Sequence, residues 1–378
     1  MIKGKIRVAI IGTGRISDLH AIEYLHNPDT EIVALCDSDI DLAKTRAKKW
    51  GCSKSVKIEK DIDKVLADND VDMVELLLPH HLHLPEALKS IEAGKIISLQ
   101  KPMCLNLEEA DKLVNAVKRH DKPFKVFENF IFYPPVIKAK ELVDEGAIGK
   151  PLSIRIKSNF GIGDEAWHVP KYARTWRRQT NKSGGGPAVF DDGHHKFALA
   201  WYFMGNPDQV HAFIGNTTDH NGEWMDAQSQ ISFQFPQNRI GNFEIVYSPK
   251  LKISGKYYAQ DDRVEITGTH GVLWINCGHG RIGNFPPVVV YRDDEVKEYR
   301  DINIGWEQSF ILSTRHFIKA LKEGDAFYAS KKFKEAESLL SQYTWSSKAS
   351  LMASYADYSR NAYSNAIFGL ERYINNYQ

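Results

Sequence analysis

The stretch IRVAIIGTGRIS, residues 6–17, decides which fold the first part of the chain can adopt. A continuous apolar run leads into Gly12-Thr13-Gly14, and an amphipathic stretch follows over residues 16–25. This order predicts a buried strand, a tight turn and a helix. Gly12 permits the turn, and Ser17 stands where a third glycine would let the helix and the strand pack most closely.

A strand, a glycine turn and a helix in this order can bind the pyrophosphate of a dinucleotide. Gly14 lets the backbone approach the pyrophosphate, which then lies at the positive N-terminus of the helix. A glycine turn with a purely structural role is the alternative. The residues of this turn that we expect to contact the cofactor are Gly12, Gly14, Arg15 and Ile16.

A second apolar run, EIVALCD at residues 31–37, ends on Asp37 at the distance from the turn that a ribose-binding acid requires. A carboxylate at this place accepts hydrogen bonds from the ribose hydroxyls of NAD and repels the 2′-phosphate of NADP. Ser38 follows, where an NADP-binding protein often has arginine. NAD is therefore the expected cofactor, with NADP as the alternative because Lys44 and Arg46 are close in sequence.

The order of the remaining elements predicts two domains in an α/β protein. Strand candidates at 71–79, 96–102 and 124–130 alternate with helical stretches, which predicts a doubly wound parallel sheet, a Rossmann domain, over residues 1–129. After residue 130 strand follows strand, which predicts an α+β domain with a mainly antiparallel sheet over 130–378. Its last part, from residue 309, has a helical pattern rich in tyrosine.

Composition limits the classes of partner. The 378 residues carry a net charge of +1, so electrostatics give no reason to expect nucleic acid or membrane partners. Four cysteines lie far apart in sequence, which favours reduced thiols. No signal peptide is recognised, and no apolar run approaches the ~20 residues that span a bilayer. We therefore expect a soluble, cytoplasmic protein.

Lys101 and Pro102 close the strand candidate at 96–102. In doubly wound sheets ligands bind beyond the carboxyl ends of the strands, so a lysine here is well placed to reach a substrate. It can donate a hydrogen bond to a substrate oxygen and stabilise negative charge that develops there. The alternative is a solvated surface lysine, the usual environment of this residue.

The stretch SGGGPAVFDDGHHKFALAW, residues 183–201, combines a run of three glycines, a fourth glycine at 193, two aspartates and two histidines. Proton transfer needs a base, a group that orients it, and backbone room for a ligand, and this composition supplies all three. A hydrogen-bonded surface loop is the first alternative. A metal site is the second, but a further set of ligands at fixed spacing is not evident, so no metal is expected.

Aromatic and basic residues precede this stretch. Aromatic faces stack on sugar rings, and arginine pairs with carboxylates or hydroxyl groups. The candidate substrate-binding residues are accordingly Trp167, His168, Trp176 and Arg177. Packing in the core of the second domain is an equally good explanation of the aromatic ones.

Taken together, these motifs resemble the Gfo/Idh/MocA oxidoreductases, the family of glucose–fructose oxidoreductase, inositol dehydrogenase and rhizopine catabolism. The resemblance extends to about residue 275 and rests on the glycine turn, Pro79 with His83, Lys101-Pro102, DEGAIGKP, Trp176-Arg177, an Asp-x-Gly-x-His element and VEITGTHGVLWI. It implies a Rossmann domain followed by an α+β domain whose open sheet often forms a homodimer or homotetramer interface. It also implies NAD(P)-dependent redox chemistry on sugars, polyols and related alcohols.

The resemblance also implies roles for individual residues. Asp-x-Gly-x-His fits residues 191–195 in one register, so Asp191 and His195 take the catalytic places. His195 would remove the proton of a substrate hydroxyl while hydride leaves for the nicotinamide, and Lys101 would hold the same oxygen and contact the cofactor. Asp191 would orient the substrate, and Pro79 and His83 are expected to contact the nucleotide.

One departure from the family pattern and two other functional classes stay open. Gln100 replaces the glutamate that usually precedes the lysine, which removes a charge next to Lys101. A redox-neutral enzyme that uses NAD transiently, of the glycosidase or epimerase type, is one alternative to a dehydrogenase. A sugar or nucleotide sensor without catalysis is the other. The sequence does not identify the substrate.

Overall fold

The computed structural model describes residues 4–163, 167 and 170–323, of which the side chains of 171 and 172 are left undescribed. The chain forms two compact units. One contains the chain up to Tyr133 together with the described residues from Gly305 onward, and the other contains Pro134–Ile304. The tyrosine-rich stretch after residue 323, for which the sequence predicts helix, lies outside the described residues.

The first unit is built on a six-stranded parallel sheet with the order β3-β2-β1-β4-β5-β6, so the Rossmann prediction is confirmed. The strands are β1 (Ile6–Ile11), β2 (Thr30–Cys36), β3 (Lys57–Glu59), β4 (Met73–Leu76), β5 (Ile96–Gln100) and β6 (Phe124–Phe127). The helices between them are α1 (Ser17–His26), α2 (Ile40–Lys49), α3 (Ile62–Ala67), α4 (His83–Glu92) and α5 (Leu107–Val117).

The continuous apolar run of β1 has a direct structural explanation. Ile6, Val8 and Ile10 join the hydrophobic core on one face of the sheet, and Ala9 and Ile11 join the core on the other face. Because both faces of a parallel sheet are covered, the successive side chains from Val8 to Ile11 are all apolar, while Arg7 near the start of the strand pairs with Asp72 at 2.8 Å. The sequential order of the strands changes direction at β1, which lies between β2 and β4 in the sheet. In such sheets ligands bind beyond the carboxyl ends of the strands at this point.

The second unit contains an eight-stranded sheet with the order β16-β15-β14-β13-β7-β12-β11-β8, in which only β7 and β12 pair in parallel. The prediction of a mainly antiparallel sheet is confirmed. Its strands are β7 (Pro151–Ile162), β8 (Gln209–Phe213), β11 (Ser229–Phe235), β12 (Arg239–Lys252), β13 (Gln260–Gly268), β14 (Gly271–Ile275), β15 (Val288–Arg292) and β16 (Glu295–Tyr299), while β9 (Thr217–Thr218) and β10 (Trp224–Met225) pair separately.

The helices of the second unit are α6 (Pro134–Asp144), α7 (Lys171–Arg177), α8 (Thr180–Ser183), a π-helix (Pro187–Asp192) and α9 (Gly193–Met204). Alternate residues of the long strands are buried, such as Ile154 and Ile156 on β7 and Phe243 and Ile245 on β12. The helix α9 packs against β7 and is buried along almost its whole length. One face of the sheet therefore forms the core, and α9 carries its site residues into that core.

The last described helix, α10 (Glu307–Glu323), belongs to the first unit. Phe317, Ile318 and Leu321 enter the same hydrophobic core as β1, and Arg315 pairs with Glu23 of α1 at 2.8 Å. The structure thus differs from the expected division, which placed all residues after 130 in the second domain. Periodicity shows that a segment is helical, but it does not show which sheet the helix covers.

Candidate active site

The turn between β1 and α1 has the local geometry of a dinucleotide cradle. Gly12 has φ +94°, and a Cβ at this position would lie 2.4 Å from the carbonyl oxygen of Leu77, so only glycine fits. A Cβ on Gly14 would meet no heavy atom of the described residues within 4 Å, which leaves its backbone open to a ligand. Arg15 and Ile16 are half-buried in the same turn.

The N-terminus of α1 supports the same assignment. Ile16 is its cap residue, and within the described chain no side chain caps the helix there. The N–H groups of Ser17, Asp18 and Leu19 donate to the carbonyl oxygens of Gly14, Arg15 and Ile16 at 3.0–3.3 Å, so an anion such as a pyrophosphate would be attracted by the positive end of the helix dipole. Ser17, fully buried, donates a hydrogen bond of 2.6 Å to the carbonyl oxygen of Gly14, so the residue in the third glycine position closes the turn.

Asp37 organises this turn. Its Oδ2 accepts hydrogen bonds from the backbone N–H of Thr13 at 2.7 Å and from the Thr13 hydroxyl at 2.9 Å. Its Oδ1 accepts one from the N–H of Asp39 at 3.0 Å. A carboxylate has about four acceptor positions, so Oδ1 can still accept a hydrogen bond from a ribose hydroxyl. Arg46 pairs with Asp18 at 2.9 Å and also donates to the Thr13 carbonyl at 3.1 Å.

Lys101 lies directly after β5 and is half-buried, and its backbone N–H donates to Oε1 of Gln100 at 2.8 Å. A buried polar chain continues from there. Nε2 of Gln100 lies 2.7 Å from Nε2 of His20, and Nδ1 of His20 lies 2.7 Å from Oε1 of Glu75. The hydroxyl of Tyr24 donates to Oε2 of Glu75 at 2.6 Å.

This chain explains why glutamine stands at position 100. Nε2 of His20 lies at hydrogen-bond distance from the Gln100 amide, and a ring nitrogen with a lone pair needs a donor there. The amide of Gln100 is such a donor, whereas an ionised glutamate only accepts. His20 and Glu75 are both fully buried, so a missing partner would be expensive.

His83 holds two strand ends together. Its Nδ1 lies 2.7 Å from the carbonyl oxygen of Pro102, and its Nε2 lies 2.9 Å from that of Leu78. The side chain has no exposed surface, and the contact of His83 with the cofactor stays a prediction. Pro79, half-buried, precedes the short 3-10 helix His80–Leu82 beyond the carboxyl end of β4.

In the second unit the glycine run serves the start of the π-helix. The carboxylate of Asp226 accepts hydrogen bonds of 2.8 Å from the N–H groups of Ala188 and Val189. A Cβ on Gly186 would lie 2.0 Å from this carboxylate, so the glycine makes room for the cap. The expectation that the run bends toward a ligand is thus replaced by a local structural reason at Gly186.

The expected catalytic pair lies at the junction of the π-helix and α9. Asp191 is in the last turn of the π-helix and pairs with Arg177 at 3.3 Å. The guanidinium of Arg177 stacks on the ring of Trp176 at 4.3 Å. His195 is in the first turn of α9 and is 3% exposed. The structure therefore joins Trp176, Arg177 and Asp191 into one contiguous group.

The other two candidates for substrate binding are separate from this group or undescribed. Trp167 is half-buried and packs edge-on against Tyr257 at 4.8 Å between ring centroids. His168 lies outside the described residues. Neither Trp167 nor Trp176 is a core residue, so the alternative of simple core packing does not describe them.

Behind the motif lies a set of polar residues that we call the buried charge cluster: Asp192, Lys196, Gln260, Asp262 and His279. Lys196, fully buried, lies 2.8 Å from Asp192 and 3.2 Å from Asp262. Nε2 of Gln260 donates to both carboxylates, at 2.8 Å and 2.9 Å. Nδ1 of His279 lies 3.0 Å from Oδ2 of Asp262.

The charges of this cluster support one another. Burial favours a neutral amine, but Asp192 and Asp262 raise the pKa of Lys196 above its ordinary value. Burial alone would raise the pKa of Asp262, but Lys196 and His279 hold it well below its usual range. Lys196 and Asp262 therefore stay ionised inside the protein. The side chains that form an i,i+4 ion pair here are Asp192 and Lys196. This pair lies one residue after the motif pair Asp191 and His195.

Sequence reasoning passed over Lys196, Gln260, Asp262 and His279, although signals for them exist. Lys196 directly precedes the apolar run FALAWYF. A lysine on a buried apolar helix needs anionic partners. His279 stands between two glycines. A Cβ on Gly278 would lie 2.3 Å from Oδ2 of Asp262, so this glycine lets the carboxylate reach the histidine.

Comparison with family models decides the family. Residues 6–128 match the model for the Gfo/Idh/MocA oxidoreductase family with its NAD-binding Rossmann fold, and residues 136–274 match the model for the family's C-terminal domain. Together the two stretches take up more than half of the chain. The chain belongs to the Gfo/Idh/MocA family. Its first domain is the NAD-binding Rossmann domain of that family.

Several relatives within the family have assigned activities. Levoglucosan dehydrogenase of Pseudarthrobacter phenanthrenivorans is 29% identical over 55% of this chain and 54% of its own length. 2,7-Anhydro-N-acetylneuraminate hydratase of Mediterraneibacter gnavus is 26% identical over 71% and 68%. Myo-inositol 2-dehydrogenase of Thermotoga maritima is 26% identical over 85% and 89%. The chain thus spans about half the length of the first of these Gfo/Idh/MocA relatives.

Solved structures agree with the Gfo/Idh/MocA fold. GenD2 from gentamicin A biosynthesis, in complex with NAD, has a TM-score of 0.71 and 19% identity over 94% of this chain and 95% of its own. KijD10, a 3-ketoreductase from Actinomadura kijaniata, was solved with NADP and has a TM-score of 0.68 and 21% identity, over 91% of this chain and 96% of its own. At these identities the likeness shows the fold.

Two further findings concern the membrane. A third model, YfiO, described as an outer membrane lipoprotein, matches residues 315–378, most of which lie outside the described residues. None of the helices in the described part of this Gfo/Idh/MocA chain combines the length and the hydrophobicity that a bilayer span requires.

Proposed function

We propose that this protein is an NAD(P)-dependent dehydrogenase that transfers hydride between the CH–OH carbon of a sugar, polyol or related alcohol and the nicotinamide. The observation that carries the proposal is the presence, in one chain of this family, of an open glycine cradle at Gly14 with the proton-transfer candidates Lys101, Asp191 and His195. The relatives named levoglucosan dehydrogenase and myo-inositol 2-dehydrogenase support the substrate class.

The residues of the first unit fit a dinucleotide. The positive end of the α1 dipole would attract the pyrophosphate, and Gly14 leaves room for it. Oδ1 of Asp37 would accept a hydrogen bond from the adenosine ribose. Bound there, the nicotinamide supplies an acceptor or donor of hydride. NAD is preferred over NADP because Asp37 repels a 2′-phosphate, and because the guanidinium of Arg46 is paired with Asp18.

In this mechanism the protein aligns the substrate and moves one proton. Lys101 donates a hydrogen bond to the reacting oxygen and stabilises the negative charge that develops on it during oxidation. His195 removes the hydroxyl proton, and in the reverse direction it protonates the carbonyl oxygen. Asp191, held by Arg177, orients a hydroxyl of the substrate. Arg177 and Trp176 form the polar and the apolar side of one sugar-binding contact.

A redox-neutral reaction on the same scaffold is the second candidate. One relative is named a hydratase at 26% identity over 71% of the chain, and its identity and coverage are similar to those of the dehydrogenases. An enzyme of this kind converts its substrate with no net change in NADH. Product analysis without added oxidant therefore separates it from a dehydrogenase.

The proposal is tested by a screen of aldoses, inositols and sugar acids with NAD and with NADP, followed by NAD(P)H absorbance. We expect turnover with at least one polyhydroxy substrate. On that substrate K101A and H195A should lose turnover, while NADH fluorescence titration shows nearly unchanged affinity. The exposed residues Lys150 and His270 supply matched controls, K150A and H270A. Near-wild-type rates in K101A or H195A would remove that residue from the mechanism.

Assembly through the second-unit sheet is part of the proposal. Phe213 and Ile240 are each 60% exposed on strands of this sheet, which suits a contact between copies of the chain. We propose a cytoplasmic homodimer or homotetramer. Sedimentation equilibrium of the wild type and of F213D/I240D measures the assembly, and a wild-type monomer at micromolar concentration contradicts it.

A further inference from the structure

His279 occupies a specific place in the buried charge cluster. Each carboxylate of the cluster directs one oxygen to Lys196 or Gln260 and the other toward His279. Oδ2 of Asp262 lies 3.0 Å from Nδ1 of His279, and Oδ1 of Asp192 lies 3.9 Å from its Nε2. The ring therefore lies between two anionic groups, one hydrogen-bonded and one near.

The formal charge of the cluster favours uptake of a proton. Asp192 and Asp262 contribute two negative charges, and Lys196 contributes one positive charge. With a neutral His279 the cluster carries one excess negative charge in a buried place, and a proton on His279 cancels it. The hydrogen bond from Nδ1 to Asp262 also fixes the neutral tautomer, so Nε2 has the lone pair that accepts this proton.

His279 also lies close to the proposed acid–base residue. The ring centroids of His195 and His279 are 6.3 Å apart, and both rings are almost fully buried. This separation is too long for a direct hydrogen bond between ring nitrogens, and one hydroxyl oxygen can bridge it. Among the described residues Tyr258 also lies beside His279, with its ring edge-on at 5.3 Å.

We propose that His279 is a second proton-transfer residue of this active site, one that receives from His195 the proton taken from the substrate. The inference rests on the proposed function. In oxidation His195 takes the hydroxyl proton and becomes an imidazolium. It then passes a proton through one bridging hydroxyl group, a second hydroxyl of the bound polyhydroxy substrate, to Nε2 of His279, while Nδ1–H stays on His279. Only N–H and O–H bonds change, and reduction runs the same transfers backwards.

The groups that face His279 predict how this transfer depends on pH. They are Asp262 from β13, Asp192 and His195 at the start of α9, Lys196 behind the carboxylates, and Tyr258 before β13. Lys196 and Asp262 stay ionised, so the protons that the proposed transfer moves are those of the two histidines. Oxidation needs both histidines neutral at the start, so the acid limb of the kcat/KM profile should follow two ionisations.

The test uses H279N, because the asparagine amide can still donate to Asp262 but offers no second ring nitrogen. H270N, at an exposed histidine, is the matched control. We expect H279N to lower kcat about 10- to 100-fold, within the range of a single proton-transfer residue. Its acid limb should follow one ionisation, and its proton inventory in H2O/D2O mixtures should change from curved to linear. H270N should resemble the wild type in all three measurements.

The outcomes separate this inference from the proposed function. If the screen finds no NAD(P)-linked turnover, or if H195A stays active, the proposed function fails. If H195A is inactive while H279N keeps the wild-type limb and inventory, the inference about His279 is overturned. Should H279N fail to fold, the wild-type proton inventory decides, because a linear inventory means that one proton moves and overturns the relay.

Discussion

Nε2 of Gln100 lies 2.7 Å from Nε2 of His20, and this contact connects the residue before Lys101 to Glu75 in the core of the first domain. His20 also packs on Phe127, with 4.1 Å between ring centroids. A ring held on its face and at both nitrogens has one favoured orientation. The backbone N–H of Lys101 donates to the oxygen of the same Gln100 amide. The fixed position of this amide therefore also fixes the backbone of Lys101.

The first prediction is that Q100E destabilises the protein in a pH-dependent way. The introduced carboxyl lies close to Glu75, so burial and repulsion raise its pKa, and its ionised form is unfavourable in the folded state. We expect the free energy of unfolding to fall by about 1–3 kcal/mol near neutral pH, and by less in mild acid, where the introduced group keeps its proton. Urea unfolding at both pH values measures this. The exposed Q234E is the control, and an equal loss in both variants would contradict the explanation.

The second prediction concerns Lys125, which is half-buried, donates to Ser313 at 2.7 Å and 2.8 Å, and lies over the ring of Phe127. Burial lowers its pKa to about 7, against the opposing effect of Glu75 and Glu128. The unfolded chain binds this proton up to a higher pH than the folded protein does, so stability rises with pH above about 7.

We expect the wild type to gain roughly 1 kcal/mol per pH unit from Lys125 between about pH 7 and 8.5. K125M should lose this slope, because methionine has no charge to desolvate. The exposed K122M should keep it. Urea unfolding across the range gives all three slopes, and parallel lines for K125M and the wild type would show that Lys125 titrates normally.

The third prediction concerns the buried charge cluster. K196M leaves Asp192 and Asp262 together without their cation, and we expect a loss of about 3–5 kcal/mol in the free energy of unfolding. Lys157 pairs with Glu244 at 2.9 Å on the exposed face of the sheet, where its side chain is 48% exposed. K157M should therefore cost less than about 1 kcal/mol. Similar losses would mean that the cluster is solvated.

The same cluster sets an acid limit. Lys196 and His279 hold the pKa of Asp262 in the folded state below its value in the unfolded chain. This difference stabilises the protein fully above the unfolded pKa, and the stabilisation is lost as the pH falls toward the folded value. D262N should thus be less stable than the wild type at neutral pH, and the two should converge in strong acid. Acid unfolding followed by circular dichroism measures this convergence.

The fourth prediction separates the two glycines of the turn. G12A places a Cβ 2.4 Å from the Leu77 carbonyl at positive φ, so we expect loss of soluble protein or a large drop in stability. G14A meets open space in the described structure and should fold with a change below about 0.5 kcal/mol. It should still weaken NAD binding by about tenfold, because its methyl group occupies the place of the ligand. Unchanged affinity in G14A would remove the cradle from the proposed function.

The fold was predictable where one local pattern has one physical solution. The apolar run of β1, the turn at Gly12 and the alternation of strands and helices leave little choice but a doubly wound sheet. The strands β15 and β16 were not predicted. The segment VVVYR of β15 is only a short apolar run, and EVKEY of β16 is mostly charged, so neither has the pattern of a long half-buried strand. A two-residue turn with Asp293 and Asp294 at positive φ connects them.

Only those site residues that are close together in the sequence could be predicted. Asp191 and His195 are neighbours in sequence, and a motif can find such residues. Asp262 and His279 reach the motif through pairing in the sheet and through the close approach that Gly278 permits, which no spacing rule encodes. His83 lies beyond a strand end, where the sequence suggested a ligand contact, and both of its ring nitrogens lie within hydrogen-bond distance of backbone carbonyl oxygens.

The position of α10 has a consequence for biosynthesis. Phe317, Ile318 and Leu321 complete a core that begins with β1, so about 300 residues separate the two sides of one hydrophobic contact. During translation, the apolar surface of the nascent Rossmann sheet that α10 covers stays exposed until the whole second domain has been synthesised. Chaperone binding to the stalled first 133 residues, and its release once α10 has emerged, is the behaviour that this topology imposes during synthesis.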